Sequence, residues 1–293
     1  MVSPNTPRTG SQRSPGQRSP GQRRAPVVRP STQPRRSGQS EIDPSKDLIA
    51  EVGRKFAKRA LCVFAHPDDL EFSSGGTVAK LCAEGWTVDI IVTTSGNKGT
   101  KDPTVTGQML AGEREEEARN AAAILGANEP VFFGFHDGGT TNDDELRALI
   151  VRHIRRSRPE LVITWDGFRP GFNHRDHRVA GQATYDAIYP SSDDHLYYPL
   201  DKEEGLEPHR PAAMLLAGGG MATNPTSDYH VDIEPHFRTK IRAILAHTSQ
   251  MGGRSESDMV KMYEERRAQA AANGEDPSLP PLRESFTKVI FRR

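Results

Sequence analysis

The sequence is poor in cysteine and has no long apolar run, and each shortage excludes a class of protein. Among its 293 residues there are two cysteines, Cys62 and Cys82. They lack the CxxC spacing of thiol redox and thiolate metal motifs, so we expect two buried free thiols. No apolar run approaches the roughly 20 residues that span a bilayer, and the first residues lack the charged-then-apolar pattern of a secretory signal. We therefore expect a cytoplasmic protein without a membrane span.

Residues 1–40 contain arginines but no acidic residue, and almost nothing apolar. They carry a direct repeat, SPGQR at 14–18 and again at 19–23. Such a stretch cannot bury enough surface to offset its ordering entropy, so we predict a disordered tail over 1–45 and one folded domain over 46–293. The arginines could contact nucleic acid or anionic lipid. The composition favours a solvated tail without a catalytic role, and so no nucleic-acid partner.

Apolar runs alternate with helix-forming stretches over the rest of the chain. Strands are predicted at 60–65, 88–92, 131–133, 161–165, 212–217, 229–233 and 286–291. Helices are predicted at 75–84, 108–125, 143–157, 236–248 and 257–272. Strands that alternate with long helices are typical of βαβ units. The predicted fold class is therefore α/β and Rossmann-like, a mainly parallel sheet with helices on both faces.

The residues that carry chemistry lie in two clusters, each after a predicted strand. His66, Asp68 and Asp69 follow the first strand directly, and the carboxyl end of a strand is where open α/β sheets generally bind ligands. His174 and His177 lie beyond the strand at 161–165, three residues apart and thus on one face of a helix start. Right-handed crossovers place such strand ends on one side of the sheet. We therefore expect the two clusters to meet.

The combined inventory of histidines and aspartates fits a hydrolytic zinc site. Such sites take three His, Asp or Glu ligands and leave one position for water. The same ligand types also suit Fe²⁺, so the sequence leaves the choice between zinc and iron open.

The two clusters contain the motifs His66-Pro67-Asp68-Asp69 and His174-Arg175-Asp176-His177. Together these motifs resemble those of the LmbE-like, or PIG-L, family of zinc-dependent deacetylases, whose signatures are a His-Pro-Asp-Asp turn and a distant His-x-Asp-His. The resemblance covers about residues 58–291. It includes further segments at 93–99, 114–117, 125–126, 135–138 and 247–250. It implies that His66, Asp69 and His177 bind zinc and that Asp68 is the general base.

The resemblance also implies roles for residues around the metal. His174 would stabilise the oxyanion or protonate the leaving amine, and Asp176 would hold the His174 ring in its donor tautomer. Arg114 and Asp137 would lie near the sugar or its aglycone. Local alternatives exist, because Arg114 could pair with Glu113 or Glu117 on its own helix and Asp137 could shape a turn. His247 is expected to bond within the fold, in the middle of a helix.

The resulting functional prediction is an enzyme, a metal-dependent amide hydrolase. It would remove an N-acetyl or other N-acyl group from an N-acetylglucosamine-type amino sugar conjugate, its small-molecule partner. Leu70 separates Asp69 from Glu71, whereas deacetylases of the mycothiol pathway usually have Glu directly after the aspartate pair. The spacing found here resembles a bacillithiol-type branch and leaves the aglycone open. Self-association as a homo-oligomer is left open too.

Rival interpretations use the same residues. Asp68 or Asp69 could merely cap the next helix, although capping explains neither the histidines nor the second motif. His174 and Asp176 form an HxD that could join a remote histidine in a non-haem iron oxygenase, but the α/β alternation argues against that fold. A non-catalytic sugar-binding protein of the same fold would not need a base beside the metal. GxGxxG and Walker lysine patterns are absent, so nucleotide binding at Gly75-Gly76 is disfavoured.

Overall fold

The computed structural model describes residues 42–169, 171, 174–218, 227–274, 276 and 278–291. The predicted tail over 1–45 lies almost wholly outside the described residues, so its boundary stays a prediction. In the described part of the chain, no helix is both long and apolar enough to cross a bilayer.

Seven strands form one sheet in the order β3-β2-β1-β4-β5-β7-β6. Their bounds are β1 Arg59–Phe64, β2 Thr87–Thr94, β3 Val131–Phe135, β4 Leu161–Trp165, β5 Ala213–Ala217, β6 Tyr229–Asp232 and β7 Arg283–Ile290. Strands β1 to β5 pair in parallel, and β7 runs antiparallel to both of its neighbours. The strand order reverses between β1 and β4, and such a switch point is where open α/β sheets bind ligands.

Helices cover both faces of the sheet, as predicted. Their bounds are α1 Leu48–Lys55, α2 Asp69–Ala83, α3 Gly107–Leu125, α4 Asp144–Ser157, α5 Arg175–Asp186, α6 Leu200–Glu203, α7 Phe237–Leu245, α8 Thr248–Met251 and α9 Glu256–Ala272. Alternate residues of β1 point to opposite faces. Cys62 and Phe64 pack with α2, α3 and α7, whereas Leu61 and Val63 pack with α4 and α5. A strand that is buried on both faces has a continuous apolar sequence, and for this reason the apolar run predicts β1.

The start of α2 differs from the prediction. The sequence places it at Gly75, yet the helix begins at Asp69 and passes through both glycines. A Cβ on Gly76 would lie 2.7 Å from side-chain atoms of Ile233. The glycine is therefore required by close packing against the residue that follows β6, and not by a helix start.

A buried ion pair also contacts the middle of α2. Glu284 accepts hydrogen bonds from the amides of Gly76 (2.9 Å) and Thr77 (2.7 Å). Lys240 donates to Glu284 at 2.5 Å and to the Phe72 carbonyl at 2.9 Å. Because Phe72 and Gly76 are i and i+4 partners in a helix, the ion pair ties the helical ladder of α2 to β7 and α7. This bracing holds the helix whose first residue is Asp69.

Candidate metal centre

The predicted clusters meet at the switch point of the sheet. His66 lies two residues beyond β1, Asp69 is the first residue of α2, and His177 lies in the first turn of α5. Since β1 and β4 are neighbours, the segments that leave their carboxyl ends lie side by side. The predicted convergence is therefore a direct result of the strand order.

The three predicted ligands converge with their donor atoms close together. His66 Nδ1 lies 3.2 Å from His177 Nε2 and 3.5 Å from Asp69 Oδ2, and His177 Nε2 lies 3.1 Å from Asp69 Oδ1. A tetrahedral zinc site with bonds of about 2.0–2.2 Å separates its ligand atoms by about 3.3–3.6 Å. The separations are of this size, but His66 is nearest Oδ2 of Asp69 and His177 is nearest Oδ1. Groups whose single ligand atoms all lie within 4.8 Å of one another are formed by His66, His174 and His177 and by His66, Asp137 and Asp176.

Asp69 is held by groups that leave one oxygen for a cation. Its Oδ2 accepts from the amides of Ala65 (3.1 Å) and His66 (2.9 Å) and from the indole N–H of Trp165 (3.0 Å). Its Oδ1 faces His177 instead. Burial alone would raise the pKa of Asp69, but His177 and His66 outweigh it and hold the pKa well below its usual range. The carboxylate is thus ionised and oriented.

Two further carboxylates surround the other ring nitrogen of His66. Its Nε2 lies 3.3 Å from Asp137 Oδ1 and 3.4 Å from Asp176 Oδ2. Burial lowers the pKa of His66, but the nearby carboxylates of Asp137, Asp176 and Asp69 outweigh it and raise the pKa to about 11. The cluster thus attracts positive charge, and a metal ion competes with protons for such ligands.

The contacts of Asp176 differ from the prediction. Its carboxylate accepts from the Gly138 amide and from Thr140 Oγ1, both at 2.6 Å, and approaches His66. Its backbone amide, rather than its carboxylate, contacts the His174 ring, donating to Nδ1 at 3.3 Å. A carboxylate beside Nε2 fixes the tautomer of a histidine and directs its other nitrogen to the metal. The geometry gives Asp176 that relation to His66.

His174 lies beside the cluster and is exposed. Its ring centroid is 4.6 Å from that of His66 and 4.8 Å from that of His177. Since its Nδ1 accepts the Asp176 amide, the neutral ring carries its proton on Nε2. Burial, followed by the two neighbouring histidines, lowers the pKa of His174. His174 is therefore a neutral N–H donor at the edge of the site.

Asp68 has an unusual backbone conformation. Its φ of 98° lies in the left-handed region that favours glycine, and strain of this kind concentrates at functional sites. Burial, then the neighbouring Asp69, raises the pKa of Asp68 to about 7. A carboxylate with a pKa near neutrality is suited to general acid and base work.

Arg114 and Asp137, the two residues predicted to lie near the substrate, contact groups of the protein, and their relation to the substrate stays a prediction. Arg114 is buried and donates to the carbonyls of Pro67 (2.6 Å) and Gly96 (2.9 Å), with Asp68 3.2 Å away. The local alternative, pairing with Glu113 or Glu117, is not seen among the described contacts, and the Glu117 carboxylate accepts from Thr248 and Ser249. Asp137, besides approaching His66, accepts from the Lys98 amide at 3.2 Å.

His247 and Trp165 complete the surroundings. His247 is fully buried, with Nε2 3.2 Å from Glu71 Oε2, as expected for a residue that bonds within the fold. It lies between α7 and α8, however, and not within a helix. Trp165, which the sequence motifs did not indicate, donates its indole N–H to Asp69 and stacks on His177 with ring centroids 4.5 Å apart. Its position at the last residue of β4 was the available signal.

Comparison with known proteins identifies the family. A sequence model of the PIG-L family, described as GlcNAc-PI de-N-acetylase, matches residues 61–188. A diacetylchitobiose deacetylase of Thermococcus kodakarensis is 35% identical over 193 residues, which cover 66% of this chain and 70% of that protein. The chain belongs to the PIG-L family.

Other PIG-L relatives agree. A 1D-myo-inositol 2-acetamido-2-deoxy-alpha-D-glucopyranoside deacetylase of Actinosynnema mirum is 29% identical over 234 residues, covering 66% of this chain and 81% of that protein. The solved structure of N,N'-diacetylchitobiose deacetylase from Pyrococcus horikoshii, complexed with its inhibitor MPG, matches with a TM-score of 0.69 and 27% identity, over 80% of this chain and 84% of that chain.

These findings confirm the predicted LmbE-like family and its α/β fold. The family is enzymatic and its named relatives are deacetylases, which are amide hydrolases, as predicted. The oxygenase alternative has no support among them. PIG-L deacetylases are metal-dependent, which agrees with the cluster of histidines and aspartates described above.

Proposed function

We propose that this protein is a zinc-dependent hydrolase that removes the N-acetyl group from an N-acetylglucosamine-type amino sugar conjugate. The observation that supports it most is the convergence of His66 Nδ1, Asp69 and His177 Nε2 within 3.1–3.5 Å. Asp68 adds a half-buried carboxyl group next to the Asp69 ligand, which a purely metal-binding or sugar-binding protein would not need.

The proposed roles follow from these contacts. His66, Asp69 and His177 would hold the metal, and bound zinc would supply a Lewis acid that lowers the pKa of water to about 7. Asp68 accepts the proton of the attacking water on its carboxylate and later delivers it to the departing amine nitrogen. His174 donates its Nε2–H to the oxyanion that develops from the amide carbonyl.

Asp137 and Asp176 act on His66 in this proposal. Their carboxylates flank its Nε2, so the proton would stay on that nitrogen and Nδ1 would be the atom left to bind a metal. This differs from the roles that the resemblance implied, a substrate contact for Asp137 and a His174 contact for Asp176. Thr140 and the Gly138 amide keep the Asp176 carboxylate in place.

The substrate class rests on the named relatives. One acts on diacetylchitobiose and another on an inositol-linked 2-acetamido-2-deoxy-glucopyranoside, by their names. Both substrates carry an acetylated amine on a glucose ring that is joined to a second ring. We therefore expect an N-acetylglucosamine unit with an attached ring as the substrate here. Activity on a panel of such conjugates identifies the second ring.

The test is release of free amine from a panel of N-acetylglucosamine conjugates by the 293-residue chain. Turnover should disappear with a chelator and return with added Zn²⁺, and a parallel reconstitution with Fe²⁺ decides between the two metals. Asp68→Asn should keep its zinc and lose most turnover, whereas His177→Ala should lose zinc affinity. If chelated protein keeps full activity, or if Asp68→Asn turns over at the unmodified rate, the proposal is wrong.

A further inference from the structure

Arg114 is buried beneath the turn that carries Asp68. Its side chain is 5% exposed, and its guanidinium is surrounded by groups of the protein. Nη2 donates to the Pro67 carbonyl at 2.6 Å and lies 3.2 Å from Asp68 Oδ2, while Nη1 donates to the Gly96 carbonyl at 2.9 Å. One guanidinium therefore connects the turn after β1 with the loop after β2.

The turn that it contacts is strained. Asp68 has a φ of 98°, a region that residues with a Cβ rarely adopt, and such conformations persist only where the surroundings over-determine them. Arg114 contacts this turn at two points, the carbonyl that precedes Asp68 and the carboxylate of Asp68 itself. A planar guanidinium with a fixed fork of donors is suited to holding two acceptors in a set geometry.

The neighbouring loop leaves room for the guanidinium. A Cβ on Gly96 would lie 2.2 Å from Arg114 Nη1, and a Cβ on Gly99 would lie 2.5 Å from the same atom. Gly96 also has a positive φ, which is a second reason for glycine there. Gly99 has no positive φ, so its missing side chain is explained by the space that Arg114 occupies.

We propose that Arg114 is a positioning residue, which holds the Asp68 carboxylate in its reactive place by bonding the Pro67–Asp68 turn, in the space that Gly99 leaves open. The inference rests on the proposed function, in which Asp68 is the base. In this inference Arg114 acts on the position of Asp68. The alternative is that Arg114 contacts the sugar, and the experiment distinguishes the two roles.

The decisive variant is Gly99→Ala, which displaces the guanidinium without removing its charge. Gly112→Ala is the matched control, because it lies on the same helix as Arg114 and its Cβ meets nothing within 4 Å. A displacement of about 1 Å in a catalytic geometry costs up to roughly 100-fold in rate. We expect kcat to fall about 10- to 100-fold in Gly99→Ala, with KM and zinc content close to those of Gly112→Ala.

A sugar contact would give a different pattern. If KM rises in Gly99→Ala and Arg114→Lys while kcat is kept, Arg114 binds substrate and the proposal is overturned. Unchanged kcat and KM in both variants overturn it as well. Arg114→Lys serves as the second variant because it keeps the charge and loses the two-pronged contact, so its kcat should also fall with KM kept.

A measurement without substrate separates this inference from the proposed function. Arg114→Lys, Asp68→Asn and the double variant are compared by urea unfolding. Substitutions of residues in contact have non-additive effects on the free energy of unfolding, whereas substitutions of independent residues have additive effects. The free energy of unfolding of the double variant should therefore fall by less than the sum of the two single decreases. Additive shifts of the unfolding midpoint overturn the contact. An unmodified protein that is inactive on every conjugate refutes the proposed function and leaves this coupling measurable.

Discussion

Trp165→Phe should weaken metal binding, because the indole N–H is one of three donors that hold Asp69 Oδ2. The other two are backbone amides, which every substitution except proline keeps. The Trp165 ring also stacks on His177 with centroids 4.5 Å apart and an interplanar angle of 18°. Phenylalanine keeps an aromatic ring at this place and removes the hydrogen-bond donor.

Two general magnitudes bound the expected loss of zinc affinity. A hydrogen bond to a charged group contributes about 1.5–3 kcal/mol. Loss of an outer-shell partner of a metal ligand typically lowers metal affinity about 10- to 100-fold, which is about 1.4–2.7 kcal/mol of binding free energy. The two ranges agree, so the dissociation constant for zinc should rise about 10- to 100-fold in Trp165→Phe.

The chain contains its own control, since it has two tryptophans. Trp86 is buried to a similar degree as Trp165, but it directly precedes β2 and therefore lies at the opposite edge of the parallel sheet from the cluster. Trp86→Phe should cost stability of the fold and leave zinc affinity unchanged. Zinc affinity is measured by competition with a chromophoric chelator at fixed pH. Equal dissociation constants for the two variants would refute the argument.

Three further predictions concern the bracing of α2 and of His66. Glu284→Ala leaves Lys240 buried without its carboxylate partner, so the free energy of unfolding measured by urea titration should fall by about 3–5 kcal/mol. The double variant Lys240→Met, Glu284→Gln has no buried unpaired charge, so its free energy of unfolding should fall by less. Burial lowers the pKa of Lys240, but Glu284 outweighs it and the net pKa is raised. The stabilisation by the Lys240–Glu284 pair is therefore present below the usual pKa of lysine and is lost as the pH rises through the raised pKa of Lys240. The unmodified protein should thus lose free energy of unfolding in strong alkali more steeply than the double variant. Asp176→Asn should lower zinc affinity about 10-fold or more because His66 loses an orienting carboxylate, and unchanged affinity in chelator competition would exclude that role.

The parallel strands and the place of the site were predictable because both depend on local patterns. Strands β1 and β4 are buried on both faces and read as apolar runs. The chemistry-bearing residues then follow the strand ends, and the handedness of crossovers places those ends together. The meeting of His66 with His177 therefore required no knowledge of side-chain packing.

Other features depend on contacts between distant segments and could not be predicted. Strand β7 lies between β5 and β6. The residues of β7 do not indicate which strands it pairs with. Gly76 suggested a helix start, yet its reason is the approach of Ile233. For Arg114, helix spacing offered partners on its own helix, whereas packing of α3 against the turn after β1 supplies Asp68.

The division of work between Asp68 and Asp69 has a cause in the backbone. Asp69 is the first helical residue of α2, whereas Asp68 has a left-handed φ of 98°, so adjacent carboxylates reach different partners. Asp69 contacts His177, the Trp165 indole and backbone amides, which keep its pKa well below the usual range. Asp68 contacts Arg114, and burial beside a second carboxylate raises its pKa to about 7. Two carboxyl groups whose environments separate their pKa values in this way are the pattern of one permanent anion and one proton carrier. In the proposed mechanism the left-handed turn therefore makes Asp69 the metal ligand and Asp68 the base, and by the same proposal the groups that hold the turn contribute to the reaction.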